Sequence, residues 1–253
     1  MKFTSPDERM ITSLRSLWKE AFGDTDEYID IFFDTAFSPD RCRCAVDGES
    51  VAAALYLLDA SYSGKRIAYI YAVATAEAYR GRGICRRLME DAEEYMKRRG
   101  YVGAILVPGS PELFRMYEKM GYVTCSRINE FTVSASGSAD ICPREVSTDE
   151  YAQLRRELLP PGGVIEEDES LLLLGRTTKL YTSEGILFAS HGEGDTLTVP
   201  ELLGDAGKAK DIVSALGYKK GFFRTPGEGK AFAMYKGFTD DEMPTYFGIA
   251  FDL

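Results

Sequence analysis

Arg80-Gly81-Arg82-Gly83-Ile84-Cys85 sets Arg80 and Arg82 around two glycines, and Arg86 and Arg87 follow directly. Glycine lets the main chain turn tightly, so that successive amide hydrogens point at one spot. If a helix starts there, the positive end of its dipole adds to the pull on an anion. The chemistry on offer is a phosphate cradle. A basic turn capping a surface helix has the same composition, and the motif alone leaves both readings open. Spacing argues against two other nucleotide loops. The dinucleotide fingerprint needs a third glycine where Arg86 stands, and no acid follows a strand about twenty residues on. The P-loop pattern has no match.

The remaining reactive side chains read as structural. Five cysteines lie at 42, 44, 85, 125 and 142, and His191 is the single histidine. Cys42 and Cys44 are one residue apart, closer than zinc-knuckle spacing, and no second pair follows. They are expected as small buried side chains on a strand, with thiols reduced. His191, between Ser190 and Gly192, is expected on a surface turn, and a Ser/His/Asp triad built on it has no supporting motif.

The chain that must position the loop has 253 residues, 45% hydrophobic and 28% charged, enough for one large core or two of ordinary size. Its longest apolar run, Val51 to Leu58, is far short of the roughly 20 residues of a membrane span. Charges and a proline among the first residues leave no apolar stretch for a signal peptide, so a cytoplasmic chain without a membrane partner is expected. The net charge of −10 argues against a general nucleic-acid binder, so any phosphate ligand must meet a local basic spot.

Apolar spacing of three and four predicts helices from about Pro6 to Phe22 and through Tyr28, Ile31, Phe32 and Thr35. The period then changes. Strands are expected at 43–47, 51–58 and 67–75, joined by turns at Asp47-Gly48 and Ser63-Gly64. Ile84, Leu88, Ala92 and Tyr95 share a helix face that ends near Gly100. A strand from Tyr101 to Val107 follows, then a helix opened by Pro111 and carrying Leu113, Met116, Tyr117 and Met120. Tyr122 to Val133 closes this unit as one or two strands.

In this setting the loop resembles motif A of the GNAT superfamily of N-acetyltransferases, with Arg80, Gly83 and Cys85 in the motif's three places, Cys85 standing for Gly or Ala. The resemblance extends from Phe3 to Val133. It implies an α/β (α+β) fold with a mixed central sheet flanked by helices, and acetyl-coenzyme A as the cofactor. It further implies that main-chain groups at Val73, Ala74 and Thr75 pair with the pantetheine arm. Arg80, Gly81, Arg82, Gly83, Ile84, Cys85, Arg86 and Arg87 would hold the pyrophosphate. Tyr117 falls where the family has the tyrosine that protonates the departing thiolate, which suits a phenol with a pKa near 10. Packing on the helix face is the other reading of Tyr117. Ser110 stands where the family often has Asn. Where many relatives carry a base on the strand before the loop, this chain has Tyr69 and Tyr71, so deprotonation is expected through water or a carboxylate from elsewhere. The resemblance implies a primary amine, on a small molecule or a peptide, as the acceptor, whose identity is not written in the sequence.

The stretch 136–143 reads as a linker between a first domain, 1–135, and a second, 144–253. The second is expected to hold a helix over 148–158, an acidic stretch at Glu166 to Glu169, strands near 179–182, 185–190 and 196–199, and a helix over 206–216. That stretch and the one from Asp24 to Asp34 read either as an attraction for a cationic amine or as solvated acidic faces. Gly100-Tyr101, Pro108-Gly109, Met116-Tyr117 and Gly121-Tyr122 are echoed by Gly217-Tyr218, Pro226-Gly227, Met234-Tyr235 and Gly237-Phe238, which points to a duplicated fold. The layout is similar to the first two domains of the enhanced-intracellular-survival type of acetyltransferase. In the second copy Glu201 and Asp205 stand where the first has arginines, so one cofactor per chain is expected. The run from Tyr246 to Phe251 reads as a strand that brings Asp252 and the Leu253 carboxylate toward the acceptor. A non-catalytic acyl-coenzyme A sensor or interaction protein is the competing function.

Overall fold

The computed structural model describes every residue except Ser138, Glu167, Ala250, Asp252 and Leu253. Its first half runs β1 (Lys2–Thr4), α1 (Ile11–Phe22), α2 (Asp26–Thr35), β2 (Cys42–Asp47), β3 (Ser50–Tyr62), β4 (Lys65–Thr75), α3 (Ile84–Arg98), β5 (Gly103–Leu106), α4 (Pro111–Glu118) and β6 (Val123–Ser134). The second half runs β7 (Arg144–Glu145), α5 (Thr148–Leu158), β8 (Ile165–Glu166), α6 (Glu169–Thr177), β9 (Lys179–Ser183), β10 (Ile186–Glu193), β11 (Thr196–Gly204), α7 (Ala209–Ala215), β12 (Lys220–Pro226) and β13 (Lys230–Gly237).

β3 is apolar at nearly every position because both of its faces are covered. Ala54, Tyr56 and Leu58 point into one core with Leu14, Trp18 and Phe32 of the first two helices. Ala53, Leu55 and Leu57 point into another with Leu88, Ala92 and Met96 of α3. Each large side chain so buried contributes about 1.5–3 kcal/mol. The first core continues without a break into the second half through Tyr151, Leu173, Leu187 and Phe247. A third core, built on Phe188, Val199, Ile212, Val213 and Phe223, packs α7 on the opposite face.

The strands form one mixed sheet in the order β1-β2-β3-β4-β5-β13-β6-β12-β11-β10-β9-β7, with β8 beside β3. This order is a palindrome. Matching β1–β5 with β7 and β9–β12, the two central places are taken by β13 and β6, each in the opposite half from its sequence neighbours. The β4–β5 and β11–β12 pairs are both parallel, and α3 and α7 make the respective crossovers. Gly100-Tyr101 and Gly217-Tyr218 precede the equivalent strands β5 and β12. The other half of the echo does not correspond structurally, because Met116 and Tyr117 lie at the end of α4 whereas Met234 and Tyr235 lie in β13.

Several expectations are corrected. The run from Tyr246 is not a strand: Tyr246 makes one isolated bridge, to Gly163, and Asp252 and Leu253 lie outside the described residues. Glu166 and Glu169 are not a solvated face; they are buried and paired with Arg155 and Arg41. His191 is half-buried on β10 beside an irregularity in its ladder rather than on a turn, and burial pulls its pKa down. Cys42 and Cys44 do lie buried on β2, and all five cysteines are free thiols.

Candidate active site

The site is opened by an irregularity in β4. Ala54 faces Ala74 and Tyr56 faces Tyr71, so Ala72 and Val73 together oppose Leu55. A bulge results, with Ala72 at φ +48°, a conformation that L-residues seldom adopt. The ladder between β4 and β5 covers Ala68–Ala104 and Tyr69–Ile105. Beyond it the two strands part. The gap is an inner cavity of about 300 Å³ bounded by Tyr71, Ala72 and Val73 on one side and Leu106, Val107 and Pro108 on the other.

A second cavity, of about 560 Å³, lies along the same strand edge past the bulge. Thr75, Arg80, Gly81, Gly83, Ile84, Cys85 and Arg86 line it, with Met116 and Met120 from the α4 end. Gly81 and Gly83 have φ of +73° and +70°, and the space where either would carry a Cβ is open. Gly83 is the N-cap of α3, with no side chain capping the first amides of that helix. Those donors are therefore free for an anion. Arg80 bends its Nε back onto the Thr75 carbonyl at 3.1 Å, which ties the loop to the strand end. Arg82 lies over the Tyr79 ring and Arg87 over Phe3, so neither is locked to a carboxylate by these contacts. Of the residues whose main chain is expected to hold the cofactor, Val73 lines the inner cavity, and Ala74 turns its side chain into the core opposite Ala54.

α4 stands between the two cavities. Ser110 caps it through the Leu113 amide and Pro111 fits its first turn. Its last turn presents Tyr117 to the inner cavity. The phenol is 5% exposed, and burial, with a smaller contribution from the Cys85 thiol, pushes its pKa above the ordinary value. Such a group stays protonated at neutral pH and is fit to donate. Burial, then the neighbouring Tyr28 hydroxyl, likewise raises Tyr71, whose hydroxyl lies 2.8 Å from that of Tyr28.

Among the described residues Asp24 is the carboxylate lining the inner cavity, and Trp18 Nε1 donates to its Oδ2 at 2.7 Å. The sequence marked it only as one acid of the stretch from Asp24 to Asp34, read either as an attraction for a cationic amine or as a solvated face, and did not single it out. Gly23 ends α1 in the left-handed region, and the turn brings Asp24 within reach of Trp18. Trp18, Phe22, Tyr69, Tyr71 and Phe251 make the rest of this wall aromatic.

The second half lacks the corresponding devices. Glu201 is buried within β11 and paired with Arg155, not placed on a loop as expected. Asp205 does lie at the crossover, where its Oδ1 accepts from the Gly207 amide at 2.8 Å and so occupies a donor itself. Three residues separate β12 from β13, leaving no counterpart of α4 or of Tyr117. Among the described residues no group of three or more His, Cys, Asp or Glu is arranged to hold a metal, and no helix is long and apolar enough to cross a membrane.

A family model described as an acetyltransferase (GNAT) domain matches residues 4–125. An acetyltransferase of Agrobacterium fabrum is 37% identical over 54 residues, a segment that spans 21% of this chain and 39% of that protein's length. The fold is similar to Eis1 from Mycobacterium abscessus, with a TM-score of 0.67 at 11% identity over 94% of this chain and 74% of that one. It is also similar to a tandem GNAT protein from the clavulanic acid biosynthesis pathway, with a TM-score of 0.60 at 12% identity over 95% and 99% of the two chains.

Proposed function

Because residues 4–125 belong to the GNAT acetyltransferases, we propose that this chain moves an acetyl group from acetyl-coenzyme A to a primary amine seated in the inner cavity. The observation that carries the reading is the joint placement of the uncapped glycine loop, the bulged strand edge and the buried Tyr117 around two adjoining cavities. The loop and α3 N-terminus suit a pyrophosphate, since their space is open and their donors are free. Bound acetyl-coenzyme A supplies an activated acyl carbon. The main chain of β4 from Val73 to Thr75 would align the pantetheine arm, and Tyr117 would give its proton to the departing sulfur. Asp24 is the carboxylate in reach of the acceptor side, suited to hold an ammonium and to take up its proton directly or through water. We place the reaction in the cytoplasm, with a small-molecule or peptide amine as acceptor.

Residues 1–135 and 144–253 are, in this reading, two copies of one unit joined through 136–143, the second of which has lost its cofactor site. Calorimetry is expected to give one acetyl-coenzyme A per chain. Two would overturn the degenerate-copy reading. Coenzyme A release measured by thiol trapping across a panel of amines tests the enzyme itself, and binding without turnover throughout the panel would favour a sensor.

The loop assignment has its own test. A Cβ at position 83 meets no neighbour, but the residue of Gly83→Val must sit strained at φ +70° and its side chain screens the amides from an anion. Arg80→Ala removes a charge and leaves the cradle shape. Gly83→Val is therefore expected to weaken acetyl-coenzyme A binding by about 2 kcal/mol or more, beyond the loss for Arg80→Ala, by calorimetry. Normal affinity in folded Gly83→Val protein would sink the assignment.

A further inference from the structure

The described residues after Thr245 belong to the second half by sequence, yet Phe251 among them lies in the cleft of the first. Their path is fixed by bonds from both halves. The Tyr246 carbonyl accepts from the Val164 amide at 2.8 Å, and the Tyr246 hydroxyl donates to Glu201 Oε1 at 3.0 Å. Phe247 is held through its main chain by Ser126 of β6, which accepts from the Phe247 amide at 3.1 Å and donates to its carbonyl at 3.3 Å. The Ile249 amide donates to Glu166 Oε2 at 3.3 Å. Tyr71, on the bulged strand of the cleft, donates to the Phe251 carbonyl at 3.1 Å. Phe251 then packs its ring 5.6 Å from Tyr71 and faces the inner cavity.

The two glutamates that hold this segment are joined by Arg155. Its Nε and Nη2 donate to Glu201 at 2.7 and 3.0 Å, and Nη2 also reaches Glu166 Oε2 at 3.1 Å. All three side chains are buried. Glu166 is carried by β8, which pairs with β3 of the first half, so the network is built into the sheet that also carries the cleft. One guanidinium balances one carboxylate. Glu201 takes two of its bonds, and Oε1 of Glu166 has no hydrogen-bond partner among the described residues. Burial is also the main cause that pushes the Glu166 pKa up.

We propose that Glu166, fixed by Arg155 and Glu201, is a positioning residue that holds the C-terminal segment as a wall of the acceptor cleft, and that Phe251 on that wall limits acceptor size. The proposal rests on the inner cavity being the acceptor site. It makes the second half a determinant of specificity through Phe247, Ile249 and Phe251, with no cofactor site of its own.

Trp18 is the chain's one tryptophan, and its ring lies 5.6 Å from that of Tyr71, so its emission reports on the wall without any turnover. The variants are Glu166→Leu, which removes the acceptor for the Ile249 amide, Glu166→Gln, which keeps a neutral acceptor there, and Phe251→Ala. Ser126→Ala frees Phe247 without touching the ionic network and serves where Glu166→Leu does not fold. Glu166→Leu and Ser126→Ala are expected to shift Trp18 emission and to raise amine KM about tenfold, as for one lost buried hydrogen bond, with acetyl-coenzyme A affinity unchanged. Glu166→Gln is expected to stay near the parent in both readouts. Phe251→Ala is expected to favour bulkier amines over small ones in kcat/KM. Unchanged Trp18 emission in folded Glu166→Leu or Ser126→Ala overturns the positioning role, as does a loss of acetyl-coenzyme A affinity equal to the rise in KM. An unaltered size preference in Phe251→Ala overturns the specificity role. If no amine is acetylated, the proposed function fails, while the emission of the same variants still decides whether the network positions the wall.

Discussion

Tyr117→Phe lowers kcat by about 10–1,000-fold, the range for losing one positioned proton donor, and leaves the affinity for acetyl-coenzyme A nearly unchanged. Only the hydroxyl is removed. The ring keeps its edge contact with Tyr122 at 5.8 Å and its place in the core under α3, so the fold has no reason to shift. The loss should fall on kcat, because a proton delivered to a departing sulfur matters in the transition state more than in the bound state. Acceptors with different substituents should show a similar fractional loss, since the donor acts on sulfur and not on the amine. Single-turnover measurements separate this from product release. An unchanged rate there would leave Tyr117 a packing residue of α4.

The loop and its helix were legible in the sequence because the determinants are local. Two glycines at left-handed φ, an apolar stripe at Ile84, Leu88 and Ala92, and Gly100 beyond the end specify that segment without help from elsewhere. β3 was legible as an apolar run, though not the reason for it, which is burial on both faces. α6 was missed because Glu166 and Glu169 drew attention as charges, while Leu171, Leu173 and Leu174 behind them carry the helix into the core. The exchange of β6 and β13 could not be read from periodicity, since a strand has the same alternation whichever neighbour it pairs with. Asp24 was not singled out from its acidic stretch for a related cause. Its place in the cavity wall depends on Trp18 six residues before it and on the bulge at Ala72, and neither relation leaves a spacing pattern.

Arg155→Met is expected to cost about 3–5 kcal/mol of folding stability, the loss seen when one partner of a buried ionic group is removed. The guanidinium is 2% exposed and satisfies Glu201, Glu166 and the Val164 carbonyl together. Burial disfavours its charge, but attraction to Glu201 and then Glu166 outweighs this, so its pKa is raised. Without it, two carboxyl groups share a dry space with the hydroxyls of Tyr151 and Tyr246 as their remaining donors beside the Ile249 amide. They can be accommodated only as neutral acids, with folded pKa values above those of the unfolded chain. The stability this allows is present below the unfolded value near 4.3 and is lost as pH rises through the folded value. The deficit of Arg155→Met should therefore be smallest near pH 4 and largest at neutral pH. Replacing Arg155, Glu166 and Glu201 together by apolar residues should recover much of it, because no unpaired charge is then left behind. Denaturant unfolding at both pH values checks each arm, with the slope on denaturant expected to stay constant. A pH-independent deficit would mean that lost packing of the Arg155 stem, and not charge compensation, is what the network supplies.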